Sequence, residues 1–211
     1  MFRDRIDAGE QLALALQKYH NKKNTLVIGL PRGGIPVAYE VAQNLKLPLD
    51  VVCPRKIGAP FNKEFAIGAI TETGEGIFDN EVISRLQIPK KYIEEEVEIE
   101  KETAQHRLGS YRKGRSPRNI KEKTVILIDD GLATGATMKA AIRTMRAERA
   151  ESIVVAIPVS SLEALEEIRK QVDDIICLFA PRNFQAVGQF YQDFTPTEDE
   201  EVIELLKILK T

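Results

Sequence analysis

The chain has 211 residues, 43% hydrophobic and 29% charged, with a formal net charge of -2. That balance is ordinary for a folded soluble domain and argues against a nucleic-acid binder, which presents a basic face, without excluding a local basic patch. No apolar run approaches the ~18 residues of a membrane span, and the opening MFRDRIDAGE has no apolar signal-peptide core.

Asp7 to Tyr19 reads as a first helix, followed by a short β-branched strand, Thr25–Gly29. A Leu-Pro-Arg-Gly-Gly turn then leads into a helix whose Ala38, Val41, Ala42 and Leu45 form an i, i+3, i+4, i+7 stripe. Leu49–Cys53 is the next strand, Gly58 to Glu64 a turn or mobile loop, and Ala66–Thr71 a further strand. Residues 80–118 are strongly charged with a thin stripe of Ile93, Val97, Ala104, Leu108 and Tyr111. They predict a long, partly exposed helix ending in a mobile basic loop, SYRKGRSPRN, with Arg112, Lys113, Arg115 and Arg118. The strand Thr124–Asp129 follows, then a helix burying Met138, Ala141, Ile142 and Met145, the strand Ser152–Pro158, a helix from Leu162 to Lys170 and the strand Ile175–Phe179.

Short apolar strands alternating with amphipathic helices predict an α/β fold with a mostly parallel central sheet flanked by helices. The expected organisation is one domain over 1–211, with a core at about 25–180, a helical and loop insertion at about 80–118 and a hood-like tail at 181–211. Cys53 and Cys177 lie far apart beside apolar runs and read as reduced thiols of a cytoplasmic protein. With neither C-x-x-C nor H-E-x-x-H present, structural zinc is disfavoured. His20 and His106 read as surface residues.

The chemistry concentrates in VILIDDGLATGAT, residues 125–137. Val125 to Ile128 is a continuous apolar run, as in a strand buried on both faces. Asp129 and Asp130 therefore fall at its carboxyl end, the edge where open α/β sheets bind ligands. The following turn enters a helix whose first N–H groups lack intrahelical partners and favour an anion. Ala133, Thr134, Gly135, Ala136 and Thr137 thus suit a terminal phosphate. The two carboxylates suit vicinal sugar hydroxyls, which are donors. A ribose 5-phosphate spans both. If the sugar also carries a pyrophosphate, Asp129 and Asp130 can help hold Mg2+, directly or through water.

These residues resemble the signature of type I phosphoribosyltransferases, which use 5-phosphoribosyl 1-diphosphate (PRPP). The resemblance implies that Asp129 and Asp130 bind the ribose hydroxyls and that residues 133–137 bind the 5′-phosphate. It extends to VIGLPRGGIPVAYEVA, where Pro31, Arg32, Gly33 and Gly34 match the pyrophosphate loop, and to VVCPRKIGAPFNKEFAIGAI, where Arg55 and Lys56 match a basic position that reaches the pyrophosphate. Arg32 and Lys56 are the implied catalytic residues, stabilising the leaving diphosphate with Mg2+. A flexible loop over 58–64 would close on the site. The implied reaction moves the phosphoribosyl group to a nucleobase or similar nitrogen nucleophile.

The family's 6-oxopurine enzymes carry a further acid where this chain has Ala133, so that chemistry is disfavoured and the acid or base must lie elsewhere, with Glu64 one candidate. The tail APRNFQAVGQFYQDFTPTEDEEVIELL resembles a narrower set of phosphoribosyltransferases of unassigned substrate, some fused to hydrolase domains, for which 211 residues leave no room. Its Phe184, Phe190, Tyr191 and Phe194 predict either a buried anchor or a stacking surface for a base. The resemblance also implies a homodimer.

A PRPP- or nucleotide-binding regulator that kept the loops without turnover is the alternative. A hydrolase using Asp129 as nucleophile is disfavoured by the phosphate cradle beside it, and an RNA contact through 107–123 by the usual solvation of charge runs.

Overall fold

The computed structural model describes residues 1–113, 115 and 118–209, the side chain of Glu64 excepted. Helix α1 (Arg5–Ala15) begins where Asp4 accepts a hydrogen bond from the Asp7 amide. It gives way to a short 3-10 turn, Gln17–Tyr19. Strand β1 (Thr25–Gly29), helix α2 (Gly34–Leu45) and strand β2 (Leu49–Val51) follow. Next come β3 (Arg55–Ala59), β4 (Asn62–Ile70) and β5 (Gly76–Phe78), then α3 (Asn80–Arg85) and α4 (Lys90–Tyr111). The chain continues through β6 (Thr124–Ile128), α5 (Ala136–Ala147), β7 (Ser152–Val159), α6 (Leu162–Arg169), β8 (Asp174–Phe179) and α7 (Asp199–Ile208).

Five strands form a parallel sheet in the order β2-β1-β6-β7-β8. The central strands are apolar on both faces because helices cover both. Val27, Ile126, Ile128 and Val154 point toward α1, α2 and α7, whereas Leu26, Ile28, Val125 and Leu127 point toward α5 and α6. The order places the ends of β1 and β6 side by side, with Gly29 opposite Ile128. Two loops that carry the sequence motifs therefore leave the sheet as neighbours.

The remaining strands depart from expectation. The pattern at Ala66–Thr71 predicts a strand alternating with helices; residues 66–70 belong instead to β4, in a separate antiparallel sheet ordered β3-β4-β5. The link between β3 and β4 is two residues long, which permits an antiparallel hairpin and no parallel crossover. The same hairpin absorbs most of the expected 58–64 loop, leaving only Pro60 and Phe61 as its turn.

The charged excursion folds back onto the molecule. Tyr92, Ile93 and Val97 of α4 cover a small cluster of Ile57, Ala59, Ile67, Ile70 and Ile88, and the hydroxyl of buried Tyr111 donates to Asp199 of α7 at 2.6 Å. The basic segment after α4 is also more engaged than its composition suggests. Arg112 pairs with Asp50 at 2.8 Å, and Arg118 with Glu72 at 2.8 Å and with Glu148. These arginines are committed to ion pairs with the core. Gly114, Ser116 and Pro117 of that stretch lie outside the described residues.

Candidate active site

The two motifs that lie about a hundred residues apart in sequence are packed directly on each other. A β-carbon on Gly33 would fall 2.0 Å from Asp130 Oδ2, and one on Gly34 would fall 2.8 Å from Asp129 Cα and 2.9 Å from its Oδ1. Gly33 has ordinary right-handed backbone angles, φ -62° and ψ -27°. Its lack of a side chain therefore answers the close approach of the acid, not a conformational demand. The Leu30 amide donates to the Ile128 carbonyl at 2.9 Å, which holds the glycine turn against the end of β6. The Pro31–Arg32 peptide within that turn is cis.

The acid pair is held from the protein side. Asp129 Oδ1 accepts the Asp130 amide at 2.9 Å. Arg5, the first residue of α1, donates from Nε to Asp130 Oδ2 at 2.9 Å, and its Nη2 lies 2.9 Å from the same oxygen. A third nitrogen of Arg5 donates to the Thr195 carbonyl at 2.8 Å, while the guanidinium lies 4.0 Å from the centroid of the Phe194 ring. The Tyr191 hydroxyl donates to the Asp130 carbonyl at 2.6 Å. Burial, reinforced by the adjacent Asp130, pushes the Asp129 carboxyl well above the ordinary carboxylate range. Burial also raises Asp130, but the Arg5 guanidinium opposes the shift.

Neither Arg5 nor Tyr191 stands out in the sequence as a partner of the acids. Arg5 lies 125 positions from Asp130, before the expected start of its helix. Of the tail aromatics, Tyr191 alone is buried, while Phe184, Phe190 and Phe194 are half-buried. Tyr191 is buried and packs with Phe2 and Phe194, at ring-centroid distances of 5.4 and 5.0 Å. Phe184 and Phe190 join the same cluster.

The 133–137 loop leaves the acid pair and enters α5. Gly135 adopts a left-handed φ of 73°, which glycine takes without steric cost and which turns the chain into the helix. The Ser161 hydroxyl, itself the N-cap of α6, donates to the Ala133 carbonyl at 2.8 Å and fixes the loop from below. Ala133 and Thr134 are exposed; Ala136 and Thr137 are half-buried in the first turn, whose amides lack partners within the helix, the Ala136 amide lying 3.5 Å from Thr134 Oγ1. Facing them is a cleft of about 700 Å³ between α5 and the β3-β4-β5 sheet, with Lys56, Phe65, Phe78, Thr134 and Lys139 among its walls.

The predicted basic residues separate. Lys56 lines that cleft. Arg55, one position earlier on the strand and so on its other face, donates to Glu100 of α4 at 2.7 Å. Arg32 projects from the glycine turn and pairs with Glu198, next to α7, at 3.1 Å. Glu64 lies in β4, and its side chain is outside the described residues. Among the described residues no cluster of three or more His, Cys, Asp or Glu side chains could hold a metal ion. Two adjacent carboxylates, each with one oxygen already engaged, suit a hard cation whose remaining ligands are water and ligand oxygens.

Comparison with known proteins gives the family and the fold. The family model of the phosphoribosyl transferase domain matches residues 4–195. The crystal structure of TT1426 from Thermus thermophilus is 40% identical and superimposes with a TM-score of 0.84, covering all of this chain and 99% of that one. The Mycobacterium tuberculosis protein named "Putative phosphoribosyl transferase Rv0571c" is 39% identical over 206 residues, 98% of this chain and 46% of that protein. The chain thus spans about half the length of the curated relatives it matches. The AQ2163 protein of Aquifex aeolicus, 15% identical with a TM-score of 0.50 over 87% of this chain and 78% of that one, shares the fold alone.

Proposed function

Because the chain belongs to the phosphoribosyl transferase domain family, we propose that it transfers a 5-phosphoribosyl group from PRPP to a nucleobase or similar nitrogen nucleophile and releases pyrophosphate. One observation carries this reading. The glycine turn sits on the acid pair, and the Ala133–Thr137 loop leaves the same strand end, so one sugar can meet all three.

In this mechanism Asp129 and Asp130 accept hydrogen bonds from the ribose 2′- and 3′-hydroxyls. The Ala133, Thr134, Gly135, Ala136 and Thr137 segment binds the 5′-phosphate through first-turn amides and hydroxyls. The Pro31 to Gly34 turn faces the diphosphate. Arg32 and Lys56 stabilise its growing charge as the bond at the anomeric carbon breaks. Arg55 would have to leave Glu100 to help. Mg2+, held by Asp129 and Asp130 directly or through water, supplies neutralisation of the diphosphate when bound. What the protein itself contributes is chiefly orientation of sugar and nucleophile.

No helix among the described residues is long and apolar enough to cross a membrane. The reading adopted is a cytoplasmic homodimer of single-domain chains, each with a core at 25–180, the 80–118 insertion and the 181–211 tail. A second reading, a PRPP-binding regulator without turnover, is favoured by one feature: Arg32, the cation assigned to the leaving diphosphate, is already paired with Glu198.

Calorimetric titration with PRPP, with and without Mg2+, tests the first claim. Mg2+-dependent binding much tighter than that of ribose 5-phosphate supports it, and absence of PRPP binding overturns it. A screen of bases for pyrophosphate release then separates the transferase from the regulator.

A further inference from the structure

We propose that Arg5 is a positioning residue of this site: it holds Asp130 against the glycine turn so that the acid pair presents a fixed edge to the sugar. The inference rests on the PRPP reading above. Three segments meet at one atom. Arg5 Nε lies 2.9 Å from Asp130 Oδ2, and a β-carbon on Gly33 would be 2.0 Å from that oxygen and 3.0 Å from Arg5 Nε. Arg5 therefore sits where the acid loop and the glycine loop touch.

The guanidinium is itself immobilised. Its side chain is 11% exposed, its Nη1 is spent on the Thr195 carbonyl and its guanidinium lies over the Phe194 ring. A planar fork of donors with one end anchored fixes the direction of a carboxylate better than a flexible ammonium does. Both contacts to Asp130 fall on Oδ2, so the other carboxylate oxygen carries no arginine contact. The division of labour follows: Arg5 holds the acid through one oxygen, and the ribose hydroxyl is assigned to the other, where it would compete with the neighbouring Asp129 carboxyl. Arg5 acts through Asp130 and need not touch the sugar.

The test uses the full chain with Arg5→Gln and Arg5→Lys, titrated calorimetrically with PRPP and Mg2+ and, separately, with inorganic pyrophosphate without Mg2+. On the PRPP reading, pyrophosphate meets the glycine turn and Lys56, and without Mg2+ it has neither hydroxyls nor a metal to engage the acid pair. Arg5→Gln is expected to weaken PRPP about 10-fold or more, the scale of a lost charge-assisted hydrogen bond, and to leave pyrophosphate within about twofold. Arg5→Lys keeps the charge with a single donor head and should recover part of the PRPP loss. A merely structural role would weaken both ligands together. Should Arg5→Gln fail to fold, Arg5→Lys alone carries the test through the same selective loss. Wild-type PRPP binding with both variants unchanged, or with both ligands weakened in parallel, overturns the role of Arg5 and leaves the PRPP reading standing. Absence of PRPP binding by the wild type overturns both.

Discussion

Gly33 and Asp130 touch: the space a β-carbon would need at position 33 is filled by the Asp130 carboxylate, 2.0 Å away. The backbone at Gly33 is one that any residue adopts. Gly33→Ala is therefore an overpacking experiment free of conformational strain. It should cost about 1–3 kcal/mol of stability and displace Asp130 from Arg5. A urea midpoint equal to that of the wild type would show that the loop can yield.

Asp129 predicts a trade between stability and binding. Its folded pKa is raised, so the native state holds the proton more tightly than the unfolded chain does. Stability therefore falls as pH rises from the ordinary carboxylate value through the raised one, and the penalty is fully present above it. Asp129→Asn, which keeps an oxygen to accept the Asp130 amide, should be more stable than the wild type at pH 7. The advantage should shrink as the solution is acidified, and PRPP binding should be lost at every pH. Denaturation midpoints across a pH series decide the point; a gap that grows in acid would contradict the assignment.

Arg118 and Lys90 contrast a buried ion pair with a surface one. Arg118 is 4% exposed and faces Glu72, 6% exposed. Arg118→Ala leaves that carboxylate buried without its partner and should cost about 3–5 kcal/mol. The exposed Lys90–Glu94 pair, broken by Lys90→Ala, should cost about 0.5 kcal/mol or less. Equal losses in urea titrations would mean that water reaches Glu72.

Glu198 competes for Arg32. The pair is well exposed, so Glu198→Gln should change stability by about 0.5 kcal/mol or less. Freed from that carboxylate, Arg32 should bind pyrophosphate a few times more tightly, as read by titration at low ionic strength, and the gain should fade with added salt. A weaker affinity would indicate that Glu198 orients Arg32 toward the diphosphate.

What the sequence disclosed follows from how local each signal is. Strands β1, β6 and β7 are runs of buried aliphatic residues, so composition alone marks them. The acid pair and the glycine turn are short patterns with a chemical reason for each member. The β3–β4 hairpin was harder, because the glycine- and alanine-rich AIGAI carries no indication of which sheet it joins. Arg5 was illegible for a different reason. Ile6 beside it is 52% exposed, so the buried stripe of α1 gives no early start, and every group that Arg5 serves is far along the chain. The aromatic tail announced a cluster, but only tertiary packing says that Tyr191 faces the Asp130 carbonyl rather than a ligand.

The bond between Arg5 and the Thr195 carbonyl spans 190 positions. During synthesis at about 5–20 residues per second, that interval corresponds to about 10–40 s. Asp130 follows Arg5 by 125 positions, so for the last third of that interval the acid pair exists while the outer wall of its clamp does not. The same stretch lays Gln192 and Asp193 alongside Phe2 and Arg3, joining the residues before α1 to those before α7. Fastening of the acid pair therefore waits for Phe194 and Thr195, which are made only after all five strands of the parallel sheet.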